Sequence, residues 1–192
     1  MAHDLCPWRM AYLFDNWLRR WIQRPERMLA PWVRPGMTVA DVGCGMGVCS
    51  IAMARLVGDA GRVLAVDLQP EILRVLERRA ARRGVAHRIE TRVCAPDHLG
   101  LKEPLDFAVA FWMVHETPDM AGLLAEIADH LKPGGLLLVA EPRLHVGDRE
   151  VAETVDLAGR AGLELAGRPG VRLSHAMLFV KPAPDAGGGG DP

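Results

Sequence analysis

From residue 36 onward, short apolar runs alternate with segments whose apolar positions recur at helical spacing, and glycine or proline marks the joints. The runs Thr38–Val42, Arg62–Asp67, Ile89–Cys94, Leu105–Met113 and Leu136–Glu141 predict strands. Most are apolar without interruption, as strands covered on both faces are. Helices are expected near Gly47–Val57, Pro70–Arg83 and Pro118–Leu131. The last places Leu123, Ile127 and Leu131 at i, i+4 and i+8, with Leu124 and Ala128 beside them, which is one apolar stripe. This alternation predicts the α/β class: a doubly wound, mostly parallel sheet with helices on both faces.

A further helix is expected over Asp148–Ala161, with Val151, Val155 and Ala158 on one face, followed by strands over Leu163–Ala166 and Ala176–Val180. The link Gly167–Leu173 is too short to hold a crossover helix, so these two strands should pair antiparallel. The sheet then has seven strands and ends in a C-terminal hairpin. The expected organisation is an N-terminal helical lid or cap over 1–35, a main domain over 36–181, and a disordered tail over 182–192. Four of the 5 tryptophans (Trp8, Trp17, Trp21, Trp32) fall in the first segment, where Leu13, Trp17 and Trp21 form a row at helical spacing. Such a helix can dock on the domain, cover a pocket with Trp8 and Tyr12, or do both.

Composition narrows the partners. Of 192 residues, 49% are hydrophobic, and Lys+Arg 23 against Asp+Glu 24 leave a formal net charge of -1. That balance argues against a nucleic-acid partner held by broad phosphate neutralisation. The run Arg78, Arg79, Arg82 and Arg83 reads as a solvated helix face. No apolar run reaches the roughly 18 residues of a membrane span. The N-terminus has no basic stretch leading into an apolar run, and the 4 cysteines (Cys6, Cys44, Cys49, Cys94) show no CxxC spacing. The expectation is a cytoplasmic protein without a structural zinc site.

The loop Val39-Ala40-Asp41-Val42-Gly43-Cys44-Gly45-Met46-Gly47 lies between a buried strand and a helix start, where a ligand can reach backbone N–H groups. Its pattern is GxGxG; Val48 stands where a dinucleotide fingerprint would have its last glycine, so a nucleotide-dependent oxidoreductase is disfavoured. Asp41 would repel a pyrophosphate but can meet an ammonium group or orient the loop. Asp67, at the end of the second strand, can accept hydrogen bonds from both ribose hydroxyls. The implied ligand is a nucleoside with a cationic amino-acid end.

With VADVGCGMG at 39–47, VLAVDL at 63–68, FWMVHETPD at 111–119 and LKPGG at 131–135, residues 36–181 resemble the class I, seven-stranded S-adenosylmethionine-dependent methyltransferases. The resemblance is to their small-molecule branch, which contains the ubiquinone/menaquinone-type (methyltransferase type 11) enzymes. It implies S-adenosylmethionine as cofactor and a small-molecule acceptor. Gly43, Cys44, Gly45 and Gly47 would pass along the methionine portion, with Asp41 at that end, Asp67 on the ribose, Leu68 on the adenine, and Phe111 also at the cofactor. Asp97, the carboxylate nearest the end of the third strand, is assigned no contact.

Methyl transfer is an in-line displacement that gains most from holding its partners in a row. A hydroxyl acceptor also needs a base, and His115, followed by Glu116, comes after the fourth strand. The expected catalytic pair is His115 and Glu116, with Glu141 and His145 beside the acceptor, and either Glu116 or Glu141 orienting His115. A role for His115 confined to pocket shape or helix capping stays open. So do a metal or metalloid site built from these His and Glu residues with Cys6, Cys44 or Cys49, and a regulatory protein that binds the cofactor without transferring from it.

Overall fold

The computed structural model describes residues 24–184. The apolar runs become a seven-stranded sheet: β1 (Thr38–Val42), β2 (Arg62–Asp67), β3 (Ile89–Val93), β4 (Leu105–Phe111), β5 (Leu131–Pro142), β6 (Glu164–Gly167) and β7 (Ser174–Val180). Their order is β3-β2-β1-β4-β5-β7-β6. β1 pairs in parallel with both β2 and β4, so the winding reverses between β1 and β4, the place where open α/β sheets bind ligands. β7 runs antiparallel to β5 and to β6, which is the expected terminal hairpin.

Side chains alternate between two cores along each strand, as a period of two requires. Val39, Val63, Phe107 and Val109 share one core with α1 (Pro25–Leu29), α2 (Val48–Val57) and α3 (Pro70–Arg82). Ala40, Leu64, Ala108 and Ala110 share the other with α4 (Met120–His130) and α5 (Asp148–Arg160). The α4 stripe is buried at Leu123, Leu124, Ile127 and Ala128, and Asp119 caps the helix by accepting the Gly122 N–H at 2.9 Å. Among the described residues, no helix is long and apolar enough to cross a membrane.

Several element ends differ from the sequence reading by a residue or two, β7 for one starting at Ser174 and α4 at Met120, and three differences in the sheet have a local reason. β3 is a half-exposed edge strand, with Glu90 and Arg92 in the charged positions that blunt an edge. β4 stops at Phe111 because Trp112 turns into the left-handed region at φ 59. β5 starts early, at Leu131, which pairs with Leu105 before an irregularity over Lys132–Gly135 shifts the register. The proposed lid residues Trp8, Tyr12, Leu13, Trp17 and Trp21, and the tail from residue 185, lie outside the described residues; Trp32 packs against the core shared with α1 and α2.

Candidate active site

The C-terminal ends of β1 to β5, joined by the start of β7, open into one cleft of about 650 Å³, a volume suited to a small molecule. Of the residues expected at the cofactor, Asp41, Gly43, Cys44, Gly45, Asp67 and Leu68 line it, as does Phe111. His115, Glu116 and His145 line it as well. Gly47 and Glu141 do not stand on the lining, and each has a different task.

Gly47 has φ +85 where the chain enters α2, and a Cβ there would sit 2.0 Å from Leu76 Cδ1. Its hydrogen atom is therefore required by packing against α3. Gly45, at φ +51, has nothing within 4 Å of where a Cβ would stand, and it faces the cleft. Its N–H donates to Asp67 Oδ2 at 2.9 Å, while Gln69 N–H donates to Oδ1 at 3.0 Å. Asp41 is buried and accepts the Ser50 hydroxyl. Burial pushes the Asp41 carboxyl up to about 7, with nearby Asp67 adding to the shift, and burial also raises Asp67. Arg79, expected on a solvated face, instead donates to the Met46 carbonyl at 3.2 Å and braces the loop.

This arrangement fits a cationic nucleoside. Two poorly solvated carboxyls stand at the C-terminal edge of the sheet, the bare backbone of Gly45 faces the cleft beside them, and an approaching ammonium group would favour the ionised form of Asp41. Leu68, Ile72, Ala95 and Pro96 form an apolar patch of the lining, whereas Asp97 is exposed and off the lining.

The other half of the cleft is organised by a buried carboxylate. Glu141, 1% exposed, accepts Val114 N–H at 3.0 Å through Oε1 and the His115 Nδ1–H through Oε2. This pairing leaves the His115 Nε2 lone pair available to another group. The Glu141 hydrogen bond raises the His115 pKa against the opposing effect of burial. Glu116 Oε1 lies 3.8 Å from Nε2, and the His145 ring centroid is 6.2 Å from that of His115. Glu141 therefore orients the histidine and does not touch the cleft, which separates the two roles the sequence left open for it.

Among the lining residues that the sequence did not single out, Trp112, Arg143, Leu144 and Leu173 shape the mouth on the β5–β7 side. Trp112 belongs to a motif already noticed, but its left-handed backbone has no sequence signal. Leu144, 94% exposed, and Leu173, 59% exposed, come together only because β7 lies beside β5. Burial pushes the Cys44 thiol well up and Cys94 up to about 11, so neither offers a ready thiolate. Among the described residues no group of three or more His, Cys, Asp or Glu is placed to hold a metal ion.

A family model described as a methyltransferase domain matches residues 39–135. Ribosomal protein L11 methyltransferase of Pelotomaculum thermopropionicum is 38% identical over 115 residues, covering 59% of this chain and 35% of that protein. Ubiquinone biosynthesis O-methyltransferase of a Methylobacterium strain is 34% identical over 145 residues, covering 73% of this chain and 53% of that protein. The chain thus spans 35% and 53% of these curated relatives. A solved S-adenosylmethionine-dependent methyltransferase from Aquifex aeolicus shares the fold with a TM-score of 0.81 at 22% identity, covering 92% of this chain and 98% of that one.

Proposed function

The chain belongs to the methyltransferase-domain family, and on that premise we propose that it transfers a methyl group from S-adenosylmethionine to a hydroxyl of a small-molecule acceptor. The observation that carries this reading is the placing of Asp41, Gly45 and Asp67 on the same cleft as His115. When bound, the cofactor supplies an electrophilic methyl carbon: the acceptor oxygen forms the new C–O bond with its lone pair as the C–S bond breaks, leaving a neutral thioether.

The chain's own residues bind, orient and move a proton. Asp67 accepts the ribose hydroxyls while holding the loop through Gly45 N–H. Asp41 receives the ammonium end, and Gly45, with open space where a Cβ would stand, lets the ligand approach the backbone, while Gly43 makes room for Met113. His115 Nε2 takes the hydroxyl proton, and Glu141 stabilises the resulting imidazolium through Nδ1. Glu116, on the same lining, adds negative charge near that cation. His145 stands at the acceptor side.

A small acceptor agrees with the cleft volume and with the near-neutral charge of the chain. Trp8 and Tyr12 are proposed as acceptor contacts on a cover formed by residues 1–35. The support is that α1, into which that segment leads, shares its core with Phe111 and Trp112. Calorimetric titration with S-adenosylhomocysteine tests the cofactor half, and single-turnover methyl transfer to hydroxyaryl acceptors tests the chemistry. Absence of binding would overturn the whole reading; binding without transfer would leave a cofactor-binding regulator.

A further inference from the structure

One side chain at the mouth of the cleft has no part in the chemistry described so far. Arg143 follows β5 directly and is the single arginine or lysine among the described residues lining the cleft. Its Nε–H donates to the Ser174 carbonyl at 3.0 Å, and its backbone N–H donates to the Leu173 carbonyl at 3.0 Å. No carboxylate among the described residues pairs with the guanidinium. Arg143 is exposed, and an arginine held through Nε keeps two Nη groups side by side for a planar anion.

The tether is shared with an aromatic wall. Ser174 is buried, and its hydroxyl accepts the Trp112 indole N–H at 2.8 Å while its carbonyl holds Arg143. One residue therefore sets both the indole and the guanidinium. Trp112 keeps this position from a left-handed backbone that tryptophan rarely adopts, a cost of about 1–3 kcal/mol that the surrounding contacts must offset. Pro142, Leu144 and Leu173 extend the wall with apolar surface.

We propose that Arg143 receives a carboxylate carried on the acceptor's aromatic ring, so that the cleft selects hydroxyaryl acids over their neutral analogues. One guanidinium balances one negative charge, and Glu116 on the same lining opposes the second charge of a phosphate monoester. The apolar wall beside Trp112 takes the ring, and the hydroxyl lies toward His115. This inference rests on the cleft being the acceptor site of the proposed methyl transfer.

The test uses the full chain saturated with S-adenosylhomocysteine and two probe pairs, 4-hydroxybenzoate and 6-hydroxy-2-naphthoate, each against its amide. Calorimetry on the unmodified chain should show at least one acid binding roughly 10- to 100-fold tighter than its amide. Arg143→Gln should erase that preference, and Arg143→Lys should keep part of it as a point charge. Equal affinity for acid and amide, binding of neither, or a preference that survives Arg143→Gln would each overturn the proposal. The comparison in the unmodified chain decides even if a variant misfolds. Failure of S-adenosylhomocysteine itself to bind would instead strike the methyltransferase reading.

Discussion

The backbone N–H of Gly45 donates to Asp67 Oδ2 at 2.9 Å, which ties the loop after β1 to the acid that ends β2. One carboxylate thus shapes the glycine loop and faces the cleft. Asp67→Ala removes both functions and leaves two N–H donors without a partner, so affinity for S-adenosylhomocysteine should fall roughly 10- to 100-fold. Asp67→Asn keeps one acceptor oxygen and should fall between. Calorimetric titration checks both, and unchanged affinity in the alanine variant would remove Asp67 from the cofactor site.

Two glycines of the same loop should fail in different ways. At Gly47 an added methyl meets Leu76 at 2.0 Å and a φ of +85, so Gly47→Ala should lower folding stability by about 1–3 kcal/mol. At Gly45 the space is open, but it is the space a ligand needs. Gly45→Ala should therefore cost more in cofactor affinity than in thermal stability. Parallel unfolding and binding measurements distinguish the pair.

His115→Gln keeps a polar side chain but has no basic nitrogen. Single-turnover transfer to a hydroxyl acceptor should drop by about 10²- to 10⁴-fold while S-adenosylhomocysteine affinity stays within twofold or so. An unaltered rate would reduce the histidine to a wall of the pocket.

Much of this was legible before the structure, and the legible parts share a cause. β1, β2 and β4 are buried on both faces, so burial wrote itself as unbroken apolar sequence. Asp41 and Asp67 stand out because carboxylates end such runs. What was hidden depends on contacts across the sheet. The reach of Glu141 back to His115 needs β4 and β5 in register, and the meeting of Arg143, Ser174 and Trp112 needs β7 beside β5. Edge strand β3 is the exception among these runs, and Glu90 and Arg92 in its sequence already mark a strand with one free side.

Glu141 gives the site a pH signature. Its hydrogen bond raises the His115 pKa above the ordinary 6.5, and the histidine must be neutral to accept a proton, so transfer should rise with pH through that elevated value. Glu141→Gln removes the charge that favours imidazolium, and the rising limb should move to lower pH with a smaller maximal rate. A limb that stays in place would show that the pair does not govern the base.

Asp41 should behave in the opposite sense from an ordinary acid. In the ligand-free fold it holds its proton up to about pH 7, while the unfolded chain releases it near 3.8. Between those values the folded state binds more protons, so this group makes stability fall as pH rises. An ammonium group bound beside it reverses the preference, and titration at about pH 6 should release a proton. Heats measured in buffers of different ionisation enthalpy read that release, which Asp41→Asn should abolish.

Because β7 runs against its neighbours, it delivers its beginning, not its end, to the functional rim of the sheet. The connection at 168–173, which brings Leu173 to that rim, is separated from Gly43–Gly45 by the width of β5 and β4, and from Asp67 by that of β1 as well. Insertions or exchanges in this connection can remodel the mouth of the cleft while the glycine loop and the two acids are left untouched. Selection at the mouth and the footing of the sheet are thereby written in separate stretches of chain.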